Sequence, residues 1–399
     1  MGLFRNLFRR LPTPDPSPKT SSLGGWLVKG IIFLVLWLLG AGWLYPWVAP
    51  FLGTTPPVPV HAPPQPGMED PVEVDSEARG PPVYRYGWAG PEAAREARAI
   101  LGKELREFRY YPAEWNAIEG KRVVLWPFVR VSAGRDPPNI PQPDGDCVSR
   151  GFAHGAEHAQ AVHLYFTGGE FYRVYPPWIY GGSRVLIGKG RLGNGAGSVG
   201  AWAAKLIEEY GVLPWTNDLP PYNKSTVQTW GRQGPPKEML ARAAKHKALT
   251  RSVASFEAAC VAISHGWPVP VCSGQGFRIK LAHERIEGVP SGSWAHCMVF
   301  IGFDTREGQQ ALYCLNSWGP DAHAPCPQYA TLDGAPCGGF WVPRATVEGM
   351  LAQQDSFSVS FDGFTRPQAP ILEAFTVFTG RDEGRKIPAV EAPELFVKP

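Results

Sequence analysis

Three residues of this 399-residue chain have the types and order needed for thiol chemistry: Cys147, His296 149 positions later, and Asn316 20 positions after that. A thiol is a useful nucleophile when its thiolate is favoured, and a helix N-terminus with a nearby imidazolium does this by presenting positive charge to the sulfur. Cys147 follows the turn-rich segment SAGRDPPNIPQPDGD. It opens a pattern in which Val148, Phe152, Ala156 and Ala159 recur at spacings of 4, 4 and 3, which predicts a helix beginning at or near the cysteine. His296 starts the apolar run HCMVFIGF (296–303), from which a side chain reaches into a cleft while a strand holds its backbone. Asn316 ends the next run, ALYCLN (311–316). Adjacent antiparallel strands bring its amide oxygen to the imidazole, where accepting a ring N–H fixes the tautomer. Asp146 precedes the nucleophile, and an ionised carboxylate there opposes the thiolate unless it points away or caps the helix. Singly, the three residues read as a buried thiol, a strand-end histidine and a turn asparagine; their joint occurrence is what argues for a site.

The elements that must hold these residues divide along the chain. Pro91–Phe108 (PEAAREARAILGKELREF) predicts a helix, and Lys121–Val131 (KRVVLWPFVRV) a strand interrupted by Pro127. Val199, Trp202, Ala203, Leu206, Ile207 and Tyr210 share a face of a second helix over about 198–210, with Ser198 as cap and Gly211 as stop. A third helix covers about 255–265. Beyond it come short apolar strand candidates at 267–272, 296–303, 311–316, 339–342 and 356–361. Helices first and strands second is an α+β pattern. A hydrophobic content of 44% supports a sizeable core, while 39 basic against 36 acidic residues leaves too little charge for a nucleic-acid surface, so no nucleic-acid partner is expected.

Gln142 ahead of Cys147, WAHCMVFIGFD around His296 and LNSWG around Asn316 resemble the papain family of cysteine peptidases. NGAGSVGAWAAKLIEEYGVLPW (194–215) is similar to that family's glycine-containing loop and following helix, and the resemblance covers about residues 123–361. It implies a two-lobed papain-like fold at 86–375, with a helical lobe at about 140–250, an antiparallel β-barrel-like lobe at about 251–375 and the active-site cleft between them. It also implies acyl transfer: Cys147 attacks an amide carbonyl, His296 protonates the leaving amine, and water releases the acyl-enzyme. Gln142 and the Cys147 backbone N–H would form the oxyanion hole, Trp318 would shield His296 and Asn316 from water, and Gly197 and Ser198 would contact the substrate backbone. The implied substrate is a protein or peptide, with no cofactor and no metal. The chain departs from the family in a Gln142–Cys147 loop one residue shorter than usual, in Val148 where an aromatic is usual, in Asp144 where a disulfide cysteine is common, and in a Pro-rich insertion at 320–337 that remodels one cleft wall. No full inhibitory prosegment is recognisable, and residues 91–108 are the one stretch that offers itself as a remnant.

His154, Glu157 and His158 spell H-x-x-E-H, an inverted zinc-peptidase motif with both histidines on one helix face. Against a metal stand the cysteine directly ahead on the same helix and the lack of a specified third ligand; the plain reading is histidines satisfied in the core or by solvent. GDCVSRGF has a faint similarity to the start of NlpC-type wall amidases, and a peptide-holding module without catalysis is a third class. The seven cysteines leave at least one outside any intramolecular disulfide, and Cys326 and Cys337, which bracket a Pro/Gly-rich loop, are the pair to test.

The N-terminus predicts membrane attachment. No charged residue lies between Lys29 and His61, and the apolar stretch from Trp26 is about 20 residues long, enough to cross a bilayer. Arg5, Arg9, Arg10 and Lys19 before it, against the acidic 69–77 after it, orient residues 1–25 to the cytoplasm and the rest outside. The expectation is a single-pass signal anchor at 26–48, in a bacterial or phage-like member of the family, with the lipid bilayer as a partner. A linker at 49–85 follows, in which nine of the 30 residues from Gly53 to Pro82 are proline. A tail covers 376–399.

Overall fold

The computed structural model describes residues 86–282, 285–323 and 334–365. The expected span at 26–48, the linker at 49–85, the tail at 376–399 and Cys326 lie outside them. In chain order, helix α1 (Gly90–Leu101) and a 3-10 turn lead to α2 (Pro112–Ile118), β1 (Arg122–Val124), α3 (Trp126–Ala133), the long α4 (Cys147–Thr167), α5 (Pro176–Gly181), α6 (Gly200–Tyr210), α7 (Lys224–Gln233) and α8 (Met239–Ala243). The second half holds β2 (Leu249–Ser252), α9 (Phe256–Ser264), β3 (Val269–Ala282), β4 (Arg285–Asp304), β5 (Ala311–Leu315), β6 (Gly339–Pro343), α10 (Arg344–Leu351) and β7 (Phe357–Ser360). The architecture is mixed α+β.

The main sheet runs β1-β4-β5-β6, with β3 also paired to β4, while β2 and β7 form a separate ribbon. β4 and β5 are antiparallel with Val299 opposite Leu315, which brings the start of the 296–303 run level with the end of the 311–316 run. Two apolar cores form. One joins the sheet to α3 and α9 through Phe128, Ile263, Phe300, Phe340 and Trp341. The other joins α4, α5 and α6 through Phe152, Trp178, Trp202 and Leu206, and includes Cys147 and Cys297. α4 serves both, because Ala161 and Val162 at its far end belong to the sheet core. The sheet core also takes Val123, Trp126 and Phe128, so a segment well ahead of residue 250 packs with the strands.

Three local expectations are corrected. Lys121–Val131 is a short strand and then a helix: only Arg122–Val124 pairs with β4, and Pro127 occupies the first turn of α3, where its missing N–H has no helical partner to lose. The helix expected over 91–108 stops at Leu101, where Gly102 takes φ 51° and turns the chain. Ser198 does not cap α6. Its backbone is extended and bridged to Trp88, and the carboxylate of Asp355 accepts from the N–H groups of Gly200 and Ala201 instead (2.8 Å each). Ser255 does cap α9, accepting from the Ala258 N–H at 3.1 Å.

Candidate active site

Cys147 is the first residue of α4, and α4 packs against β4 so closely that a Cβ at Gly151 would stand 2.8 Å from Cys297 Sγ. The thiol lies against the backbone amide of Cys297, one residue from His296, and against that of Gly87. His296 pairs with Ser273 at the edge of a β3–β4 register shift between Ser273 and Gln275, the kind of irregularity that re-aims a side chain beside a site. Its Nε2–H donates to Asn316 Oδ1 at 2.7 Å, and the Ser317 N–H donates to the same oxygen at 2.7 Å. Trp318 covers this pair, with ring centroids 4.5 Å apart over His296. The thiol, on a helix N-terminus, thus lies one residue along β4 from His296, which is bonded to Asn316 just past the end of β5.

Gln142 reaches the same neighbourhood and is committed within its own loop. Its side-chain amide donates to the Asp144 carbonyl at 2.8 Å, and its oxygen accepts from Ser317 Oγ at 2.7 Å. Asp146 is held by Tyr222, whose O–H donates to its Oδ2 at 2.6 Å. Burial pushes its carboxyl up to about 6, opposed by the Tyr222 hydroxyl and the Arg150 guanidinium. The residues of H-x-x-E-H are taken up by the core. His154 pairs with Arg150 (2.8 Å), His158 Nδ1 bonds the His154 carbonyl (2.8 Å), and Glu157 accepts from Arg173 and the Val174 N–H (3.0 and 2.9 Å). Among the described residues no cluster is arranged to hold a metal. Cys337 is disulfide-bonded, while Cys147, Cys260, Cys272, Cys297 and Cys314 are free thiols.

The cleft is already occupied, and by this chain. Residues 86–89 run between two walls, with Ala89 already in helical backbone as the N-cap of α1. The N–H groups of Gly87 and Trp88 both donate to the Ala295 carbonyl (3.0 Å each); the Ser198 N–H donates to the Gly87 carbonyl (2.8 Å), and the Ala89 N–H to the Ser198 carbonyl (2.9 Å). Trp88 is buried, its indole N–H donating to Asp355 Oδ2 at 2.8 Å. The Tyr86 ring stands edge-on to Trp318 and His296, 5.8 and 6.4 Å away. Only glycine fits at 87, because a Cβ there would collide with the carbonyl of Gly145 in the loop before the nucleophile. The backbone amides of Cys297 and Gly87 both lie against the sulfur, while the Gly87 carbonyl is held by the Ser198 N–H.

Burial sets the electrostatics. Cys147 is 0% exposed and His296 1% exposed. Burial pushes the Cys147 thiol well up, with Cys297 and Asp146 adding to the rise, and pulls the His296 imidazole down to about 4 against the bond to Asn316. Thiol and imidazole are therefore both neutral at neutral pH, the unreactive form of such a pair. His296 Nδ1 is buried without a hydrogen-bond partner. One residue of the site carried no signal in the sequence: His323, in the Pro-rich insertion, whose Nε2 lies 2.8 Å from Asn316 Nδ2. Trp88 and Asp355 were also missed, since their pairing spans 267 residues.

No family model and no curated protein matches this chain. Solved structures do resemble it. Xylellain, a cysteine protease from Xylella fastidiosa, is 14% identical over 69% of this chain and 95% of that one, with a TM-score of 0.47. ProCathepsin B S9 from Trypanosoma congolense is 11% identical over 69% and 85%, with a TM-score of 0.44, and procathepsin L 3 of Tenebrio molitor larval midgut is 12% identical over 67% and 78%, with a TM-score of 0.39. These likenesses are distant, and the functional reading rests on the geometry above.

Proposed function

We propose that the chain is a cysteine peptidase of papain-like fold, anchored in a membrane by residues 26–48 with its folded part outside, and held latent by residues 86–89. Cys147 is its nucleophile, His296 the base and acid, and Asn316 the group that orients the imidazole. The observation that carries the reading is the seating of Tyr86–Ala89: the groove over Cys147 holds a peptide backbone by hydrogen bonds to Ser198 and Ala295, the recognition a peptide substrate needs. Once this segment leaves, water and substrate reach both catalytic groups and the burial that keeps them neutral is relieved. Cys147 then attacks a peptide carbonyl, His296 passes the proton to the leaving amine, and water hydrolyses the thioester. Gln142 serves the oxyanion in this reading through the side-chain amide that now bonds Asp144.

The neutral thiol and imidazole favour a second reading, a module that holds peptides without cleaving them. A covalent epoxide inhibitor of thiol peptidases, with the modified residue found by peptide mass spectrometry, separates the two. Peptidase chemistry requires slow labelling of Cys147 in the parent chain, faster labelling in Gly87→Ala and none in Gly87→Ala/His296→Ala. A folded Gly87→Ala chain whose Cys147 stays unlabelled would establish the holding module.

A further inference from the structure

We infer that His323, contributed by the inserted loop, is a fourth, positioning member of the site, acting on His296 through Asn316. The inference rests on the peptidase reading for its consequence and on geometry for its existence. Asn316 is an amide with two chemically different ends, and its function requires the oxygen to face His296: turned over, its N–H₂ would meet the imidazole N–H and the Ser317 N–H, donor against donor. The oxygen is fixed by those two donors at 2.7 Å each, and the nitrogen end by His323 Nε2 at 2.8 Å. An acceptor is what that end requires, so the His323 ring must be neutral and carry its proton on Nδ1.

The surroundings enforce that form. Trp294 lies nearly parallel to the ring (13°, 6.2 Å), Phe340 meets it edge-on at 4.8 Å, and Trp318 closes a third side at 5.9 Å. Burial, with a smaller contribution from the charge of His296, pulls the imidazole down to about 3. His323 therefore stays an acceptor at any pH where thiolate and imidazolium can coexist. A hydrogen bond donated by Asn316 Nδ2 polarises the amide and makes Oδ1 a better acceptor, which favours the protonated state of His296. The row His296, Asn316, His323 passes orientation inward from a loop the strands do not dictate.

Two measurements test this. In full-length chain labelled with ¹⁵N-histidine, two-bond nitrogen–proton correlations identify each tautomer, and the His323 ring is the one lost in His323→Phe. An Nδ1–H tautomer with bare Nε2 is expected; an Nε2–H tautomer would overturn the inference. The second reading is the rate of Cys147 alkylation by iodoacetamide against pH in Gly87→Ala, alone and with His323→Phe or His323→Gln. Phe keeps a ring between Trp294 and Phe340 but offers no acceptor. The rate is expected to fall about 3- to 10-fold, with the alkaline limb, where the imidazolium is lost, moved about half a unit to lower pH. Gln, whose Oε1 can accept, is expected to recover most of both. Superimposable profiles for parent and Phe would remove His323 from the site, as would a loss in Phe that leaves the limb in place and is not recovered by Gln. A Cys147 that no variant alkylates would defeat the peptidase reading, and the tautomer would still decide the place of His323.

Discussion

Asn316 shows how much one side chain decides here. Its oxygen is the shared acceptor of His296 and Ser317, so Asn316→Ala removes both the tautomer lock and the partner of the imidazolium. One hydrogen bond to a charged group contributes about 1.5–3 kcal/mol, and alkylation of Cys147 in an opened chain is expected to slow by about 10- to 100-fold. An unchanged rate would separate Asn316 from the chemistry. Asp146 is the residue whose neighbourhood to the nucleophile looked most damaging in sequence, and the fold answers by turning it to Tyr222. Its folded pKa of about 6 lies above the ordinary 3.8. The stability this group contributes is thus present below about pH 4 and lost as pH rises through 6. Asp146→Asn, which keeps an acceptor for Tyr222, is expected to match the parent near pH 4 and exceed it by up to about 3 kcal/mol above pH 6. Denaturant titrations across that range would show a constant difference if the carboxylate were not the cause.

At the scale of elements, the chemistry depends on two close approaches. Residues 86–89 pass Gly145 and Ser198 with no room for a side chain at 87. Gly87→Ala should force the segment out and raise the epoxide labelling rate of Cys147 about ten-fold or more, since overpacking of this kind costs about 1–3 kcal/mol. Labelling as slow as in the parent, in a folded chain, would show that the segment is no obstacle. The second approach is α4 on β4, where a Cβ at Gly151 would meet Cys297 Sγ at 2.8 Å and the Met298 carbonyl at 3.0 Å. Gly151→Ala is expected to lower the melting temperature and to displace Cys147 relative to His296; retained stability with retained labelling would mean the contact relaxes freely. The helix of Cys147 and the strands of His296 and Asn316 were legible in sequence, because 3.6-residue periodicity and short apolar runs are local signals. The α3 helix was misread because WPFVRV has strand-like composition, and its Pro127 signals a helix start as well as a strand break.

Across the whole molecule the buried histidines dominate the response to acid. His296 and His323 have folded values of about 4 and 3, below the ordinary 6.5, and His154 and His158 are lowered as well, all chiefly by burial. A depressed histidine takes up its proton in the unfolded chain first, so the stability it supports is present above pH 6.5 and lost as pH falls towards 4. Asp146 and Asp355, raised by burial, work in the opposite direction over part of that window. Among the described residues the four buried histidines outweigh the two raised carboxylates, and the melting temperature is expected to fall between pH 6.5 and 4. A melting temperature that rises over that interval would contradict the buried neutral histidines.

Read alone, the sequence determined the order of Cys147, His296 and Asn316, the helical and strand elements beside them, and the α+β division, since each depends on residues within a few positions of one another. It also marked Gln142, Trp318, Gly197 and Ser198 as neighbours of the site through motif resemblance. Tertiary structure alone decided that Ser198 pairs with Trp88 instead of capping α6, that Asp355 holds both Trp88 and the α6 N-terminus, and that His323 ends the row begun by His296. Those contacts join residues far apart in the chain, or in a loop without periodicity, and backbone pairing and burial leave no local pattern to read. The fold also decided the charge state of Cys147 and His296, because the burial that keeps both neutral exists only in the folded chain.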